Sequence, residues 1–178
     1  PFDAAIHFGP PAWPGAVLHH LFDERVAPVC SPAFQARHGL EAEADLVGAP
    51  LLQQTTRPAI WAEWYGSLGL PGDQAGHGPR FDQFSMLAEA AAAGLGVALL
   101  PQFLIEEELA SGRLVRIGRH ALQTEHGYYL AVPEIKSAEE TVCDFRDWLL
   151  QVSRQFQPVP IQAPPIQAPS DGLRDLVA

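Results

Sequence analysis

Apolar positions recur in two ways along this chain: short uninterrupted runs that read as strands, and three- and four-residue steps that read as helices. The first run, residues 3–8, predicts a buried strand ending at Gly9-Pro10-Pro11, and Trp13-Pro14-Gly15 predicts a turn. Strand character returns in the second half of residues 21–30, at Val26 and Val29. Ser31-Pro32 then reads as an N-cap followed by proline at the first helical position, with Gly39 as the stop. Residues 50–53 predict another short strand, followed by the polar loop Gln54-Thr55-Thr56. A helix opens at Pro58 and carries Ile60, Trp61, Trp64, Tyr65 and Leu68 as an apolar stripe, which is the pattern of docking on a sheet.

After a glycine-rich loop over residues 70–78, Arg80-Phe81 leads into a helix with Asp82 as the expected N-cap. That helix places Phe84, Leu87, Ala88, Ala91 and Ala92 on one face and ends at Gly94. Residues 97–100 form an unbroken apolar run of the parallel-sheet kind. Pro101 begins a helix ending near Gly112, and residues 114–117 and 128–132 read as further strands. Ser137-Ala138-Glu139-Glu140 has the capping-box pattern for a last helix bearing Val142, Phe145, Leu149, Val152 and Phe156, and Trp148 beside Phe145 reads as part of the sheet-docking surface. Beyond Gln157 a Pro-Ile-Gln-Ala-Pro unit occurs twice in succession, which predicts an extended, mobile tail. Strands alternating with helices make the chain α/β. In such sheets ligands bind beyond the carboxyl ends of the strands, so residues 8–11, 53–56, 82–85 and 101–102 are the segments to inspect.

Composition narrows the classes. With 178 residues the chain can hold one ordinary domain or two small lobes. No apolar run reaches the roughly 18–20 residues that span a bilayer, and the amino end lacks a signal-peptide pattern. The start without Met, almost directly into a strand, reads as a cut edge. A net charge of −10 with 11 scattered Lys and Arg argues against DNA binding by this chain alone. Cys30 and Cys143 give neither metal spacing nor a disulfide framework and read as inert thiols of a reducing, cytoplasmic setting.

Catalytic patterns are weak. There is no Gly-x-Ser-x-Gly elbow. The seven histidines show no paired ligand spacing, so no metal or cofactor is expected. Gly94-Leu95-Gly96 follows a helix and precedes a strand, the reverse of a dinucleotide fingerprint, and reads as helix termination. What remains is a binding cleft. Gln54, Thr55 and Thr56 offer polar groups after a strand, and the open amides near Gln83, Phe84 and Ser85 suit an anion.

Six segments in order resemble the effector-binding (substrate-binding) domain of LysR-type transcriptional regulators, nearest the glycine cleavage activator-like branch. They are Asp3-Ala4-Ala5-Ile6-His7-Phe8-Gly9, Pro28-Val29-Cys30-Ser31-Pro32, the block from Phe81 to Pro101, Gly112-Arg113-Leu114-Val115, Tyr128-Tyr129-Leu130-Ala131-Val132-Pro133 and Phe145-Arg146-Asp147-Trp148-Leu149. The resemblance implies a fold of the type II periplasmic-binding-protein kind: two Rossmann-like lobes joined by crossover segments, the first lobe incomplete. It implies that residues 1–11 are a fragment of the first lobe, 12–133 the second lobe, 134–157 a return to the first lobe, and 158–178 a tail. It implies a small-molecule effector, a homodimer or homotetramer, and DNA contact only through a winged helix-turn-helix outside this chain. Carried over, the ligand-facing positions are His7, Phe8 and Gly9, then Gln54 and Thr55, then Gln83, Phe84 and Ser85. His7 stands where the family often has Arg, so a carboxylate effector does not follow. Two rival functions stay open: a transport-type solute-binding protein, which needs a secretion signal or lipid anchor upstream, and a small α/β enzyme, which needs titratable groups clustered at the strand ends.

Overall fold

The structure is a computed structural model, and it describes residues 2–156. The proline-rich repeat lies outside the described residues. The elements run β1 (Ala5–Gly9), β2 (Ala16–Cys30), α1 (Pro32–His38), β3 (Leu51–Gln54), α2 (Ile60–Ser67), β4 (Arg80–Phe81), α3 (Phe84–Ala92), β5 (Val97–Pro101), α4 (Glu106–Ala110), β6 (Val115–Arg116), β7 (Leu122–Pro133) and α5 (Glu140–Ser153).

One sheet organises them, in the order β1-β7-β2-β5-β3-β4, with β6 also paired to β2. Strands β2 and β7 are its spine. They pair antiparallel from Ala16↔Pro133 to Val26↔Leu122, with register shifts between His20 and Phe22 and between Asp23 and Arg25. Such shifts sharpen the local twist and let one long pair serve two differently oriented halves. Both strands are longer than their apolar patterns suggest, 15 residues for β2 and 12 for β7. Strand β5 pairs parallel with β3 but antiparallel with β2, so the sheet is mixed where the apolar run alone predicted a parallel one.

Side-chain alternation explains the continuous apolar runs. In β5, Val97 and Leu99 join Trp61, Trp64 and Tyr65 in one cluster, while Ala98 and Leu100 join Leu87, Ala91 and Leu114 in another. Leu51 and Leu52 divide the same way. Both faces of this half are therefore covered, which removes the usual polar alternation. A third cluster, Leu21, Leu130, Val132 and Val142, packs the other half, with Leu149 against it. Trp61 and Trp64 are core residues, both fully buried. Phe145 and Trp148 instead face solvent, 44% and 57% exposed, because α5 docks through Val142 and Leu149.

Two caps differ from expectation. Gln83, not Asp82, is the N-cap of α3, since the parallel pairing of Phe81 with Gln54 keeps the chain extended past Asp82. The capping box before α5 does not form. Ser137 Oγ donates to Glu134 O (2.8 Å) across a 3-10 turn, and Glu139 becomes the N-cap. The first helix matches its pattern: Ser31 Oγ accepts from the Phe34 amide (3.3 Å) and Gly39 is left-handed.

The Gly94–Gly96 segment couples α3 to β5. Gly94 has φ +77, which terminates the helix without the strain a side chain would bring. Gly96 serves close approach, because a Cβ there would lie 2.6 Å from the Pro50 carbonyl oxygen while Val97 N donates to that same oxygen (2.9 Å). Gly96→Ala should therefore push β5 from the end of β3 and cost about 1–3 kcal/mol in urea unfolding; a loss within error of zero would show that the backbone yields.

Thiol chemistry follows burial. Cys30 is fully buried and its thiol is pushed up to about 11 by desolvation, whereas Cys143 is half-buried. A thiol reagent applied near neutral pH should modify Cys143 in the folded protein and reach Cys30 only after denaturant is added. Peptide mapping of early labelling at Cys30 would contradict this packing.

Candidate functional site

Where the spine strands pass from one half of the sheet to the other, the surface opens into a cavity of about 810 Å³. Phe8 of β1, Glu24 of β2, Arg57 before α2, Phe84 of α3 and residues 122–126 of β7 line it. Each is placed by backbone pairing. Phe8 sits opposite Tyr128 in the β1–β7 ladder, and strand alternation sends His7 to the other face. Two loops are tied side by side: Thr55 N donates to Phe81 O (2.9 Å), and Gln54 Nε2 donates to Asp82 O (3.0 Å) and Thr56 Oγ1 (3.2 Å). Arg57 N then donates to Gln54 O (3.1 Å), closing a turn that brings the arginine beside Phe84.

The centre of the site is a buried ion pair. Glu24 is fully buried, and Arg57 Nη1 donates to its Oε2, the arginine side chain being 15% exposed. The guanidinium carbon lies over two rings, 4.4 Å from the Phe8 centroid and 4.8 Å from that of Phe84. Such contacts contribute about 0.5–2 kcal/mol each, more as water is excluded. Tyr128 Oη donates to the other carboxylate oxygen of Glu24 (3.3 Å). Burial, then the Glu24 charge, pushes the Tyr128 phenol up to about 12, so it remains a donor. Beneath it Phe22 stacks at 4.9 Å, with Phe103 edge-on at 5.3 Å. Each charge in this centre has a partner and each ring a neighbour, an arrangement suited to holding a molecule in place.

Of the positions singled out in the sequence, Phe8 and Phe84 line the cavity. Gly9 is buried opposite Gly127 in the ladder. His7 turns away, with Nε2 3.2 Å from Pro10 O and its ring edge-on to Trp13. Gln54 is buried as the strut between the two loops, and Thr55 acts through its backbone. Gln83 and Ser85 are exposed beside Phe84 and do not reach the lining. Sequence reasoning missed Glu24, Arg57 and Tyr128. One signal for them exists: Glu24-Arg25 interrupts the apolar stretch 21–30, and a charge within a buried strand requires a partner.

Comparison with known proteins agrees with this architecture. The family described as the LysR substrate binding domain matches residues 1–154. The HTH-type transcriptional regulator TrpI of Pseudomonas aeruginosa is 40% identical over 115 residues, 63% of this chain and 39% of that protein. The glycine cleavage system transcriptional activator of Escherichia coli K12 is 32% identical over 149 residues, 83% of this chain and 48% of that protein. The chain thus spans about half or less of these relatives. The effector domain of the transcriptional regulator AmpR of Pseudomonas aeruginosa superimposes with a TM-score of 0.73 at 31% identity, over 86% of this chain and 72% of that one. Sheet order, crossover cleft and sequence agree: the chain has the α/β fold of the type II periplasmic-binding-protein kind and belongs to the LysR substrate-binding domain family.

Proposed function

We propose that this chain is the effector-sensing part of a LysR-type transcription regulator and that a small polar molecule binds in the cavity at the spine crossover. The observation that carries the reading is the cavity itself, which is large enough for a metabolite and lined from both halves of the sheet by Phe8, Glu24, Arg57 and Phe84. The half of the sheet built on β3, β4 and β5 acts as one lobe, while β1, the first part of β2, the end of β7 and α5 contribute to the other. Ligand contacts bias the relative arrangement of the lobes in proportion to their differential affinity for the two states. In the whole protein, a winged helix-turn-helix outside this chain reports that shift to DNA, the subunits pair or form tetramers, and the setting is the cytoplasm. The names of the relatives support regulation over catalysis. Among the described residues no helix is long and apolar enough to cross a membrane.

The test has two arms. The coding sequence upstream of Pro1 should encode a helix-turn-helix; a secretion signal there would favour solute transport instead. Separately, a metabolite that raises the melting temperature of the chain should lose that effect in Phe84→Ala. Retention of the full shift would place binding elsewhere.

A further inference from the structure

The Arg57 guanidinium carbon contacts two aromatic rings at once, 4.4 Å from the Phe8 centroid and 4.8 Å from that of Phe84. The guanidinium's ion-pair partner is a fully buried carboxylate, Glu24, whose second oxygen is held by Tyr128. Two π faces and one carboxylate define a receptor for a flat cation. A guanidinium satisfies all three, because it is planar, weakly hydrated and carries its donors in the plane. An ammonium is compact and strongly hydrated, and a carboxylate would meet Glu24 and two electron-rich faces. Arg57 itself sits in a turn between β3 and α2, not inside a helix or strand, and its side chain borders the cavity. The cavity wall adds Glu63 and Glu125, whose charge favours a cation over an anion.

We infer that the cleft is self-liganded: Arg57 occupies, as a tethered ligand, a cation box built by Glu24, Phe8 and Phe84, and molecules bearing a guanidinium or amidinium group are the class that displaces it. This rests on the reading of the cavity as the effector site. A short tether corresponds to an effective concentration in the millimolar range, so a competitor must gain further contacts in the cavity to win. Displacement would free the β3–α2 loop from β2, which gives a ligand a direct route to altering how the two halves sit.

The experiment titrates the 178-residue chain and its Arg57→Ala variant with methylguanidinium, methylammonium and acetate. In the variant, methylguanidinium should raise the melting temperature saturably and bind roughly tenfold or more tighter than to the parent, since the internal competitor is gone. Methylammonium and acetate should do neither, and adding Glu24→Gln should abolish the effect. If the variant does not fold, the parent suffices: the Arg57 Nε–H resonance should move toward that of a solvated arginine as methylguanidinium is added, and should stay put with acetate. Stabilisation of the variant by acetate, or an unmoved Arg57 resonance at saturation, overturns the inference. An anion that binds the cavity with Arg57 undisturbed overturns it while leaving the effector reading intact. Methylguanidinium rescue, combined with metabolite responses remote from the cavity, supports the cation box and removes the effector reading.

Discussion

Arg57→Met is expected to lower the unfolding free energy by roughly 3–5 kcal/mol, the cost of stranding one member of a buried ion pair. The side-chain volume is nearly kept, so the effect isolates charge. Glu24 is fully buried, and Arg57 is the only charged group bonded to it among the described residues. The tyrosine hydroxyl at 3.3 Å is a neutral donor and cannot replace a cation. Removing both charges should restore most of the loss, because Glu24→Leu with Arg57→Met leaves an apolar pair under the Phe8 and Phe84 rings. Buried ion pairs replaced by apolar residues of similar size are often no less stable. Urea denaturation of the parent, both single variants and the double variant gives the coupling directly. Additive single effects would show that the pair is not a unit.

Trp61→Ala should be comparably severe, about 3–5 kcal/mol, from lost burial and the cavity left behind. Trp61 is fully buried against Trp64 and Tyr65, and its Nε1 donates to the Leu52 carbonyl (2.9 Å), joining α2 to β3. The neighbouring tryptophan supplies the control. Trp64 is equally buried, but its Nε1 finds no acceptor among the described residues. Phenylalanine at the two sites should therefore separate: Trp61→Phe forfeits a hydrogen bond worth about 0.5–1.5 kcal/mol beyond packing, whereas Trp64→Phe removes an orphan donor. Equal costs at the two positions would contradict the assigned partners.

Legibility in the sequence tracked how local each feature is. The Ser31-Pro32 helix start, the Gly94 stop and the buried strand at 97–100 depend on neighbours within a few residues, and each is present. The lengths of β2 and β7 were not legible. Their middles carry His19, His20, Asp23 and Glu24 on one strand and residues 123–126 on the other, and the register shifts there break any single period. The last helix shows the same limit from another side, since its aromatic residues face solvent while Val142 and Leu149 of the same apolar pattern make the packing contact. For the site, the polar loop 54–56 and the α3 start lie at the corner where the cavity opens, and Phe8 and Phe84 both border Arg57 there. The groups that give the corner its charge did not show, because Glu24 and Arg57 are 33 residues apart and only tertiary pairing joins them. Gln54 and Gln83 illustrate the converse: a polar residue at a strand end or helix start can be a strut or a solvated cap as readily as a lining group.

Small molecules should act on this chain at the spine crossover. An amide nuclear magnetic resonance spectrum of the labelled chain, recorded while a protein-free small-molecule fraction of a bacterial extract is added, decides this. Saturable shifts should be concentrated at Phe8, Glu24, Thr56, Arg57, Phe84 and residues 123–126, with the Trp61 side of the core unmoved. Shifts gathered instead around Val47, Tyr65 and Pro71, or around Ser31, Arg37 and Arg113, where the other surface cavities lie, would contradict it.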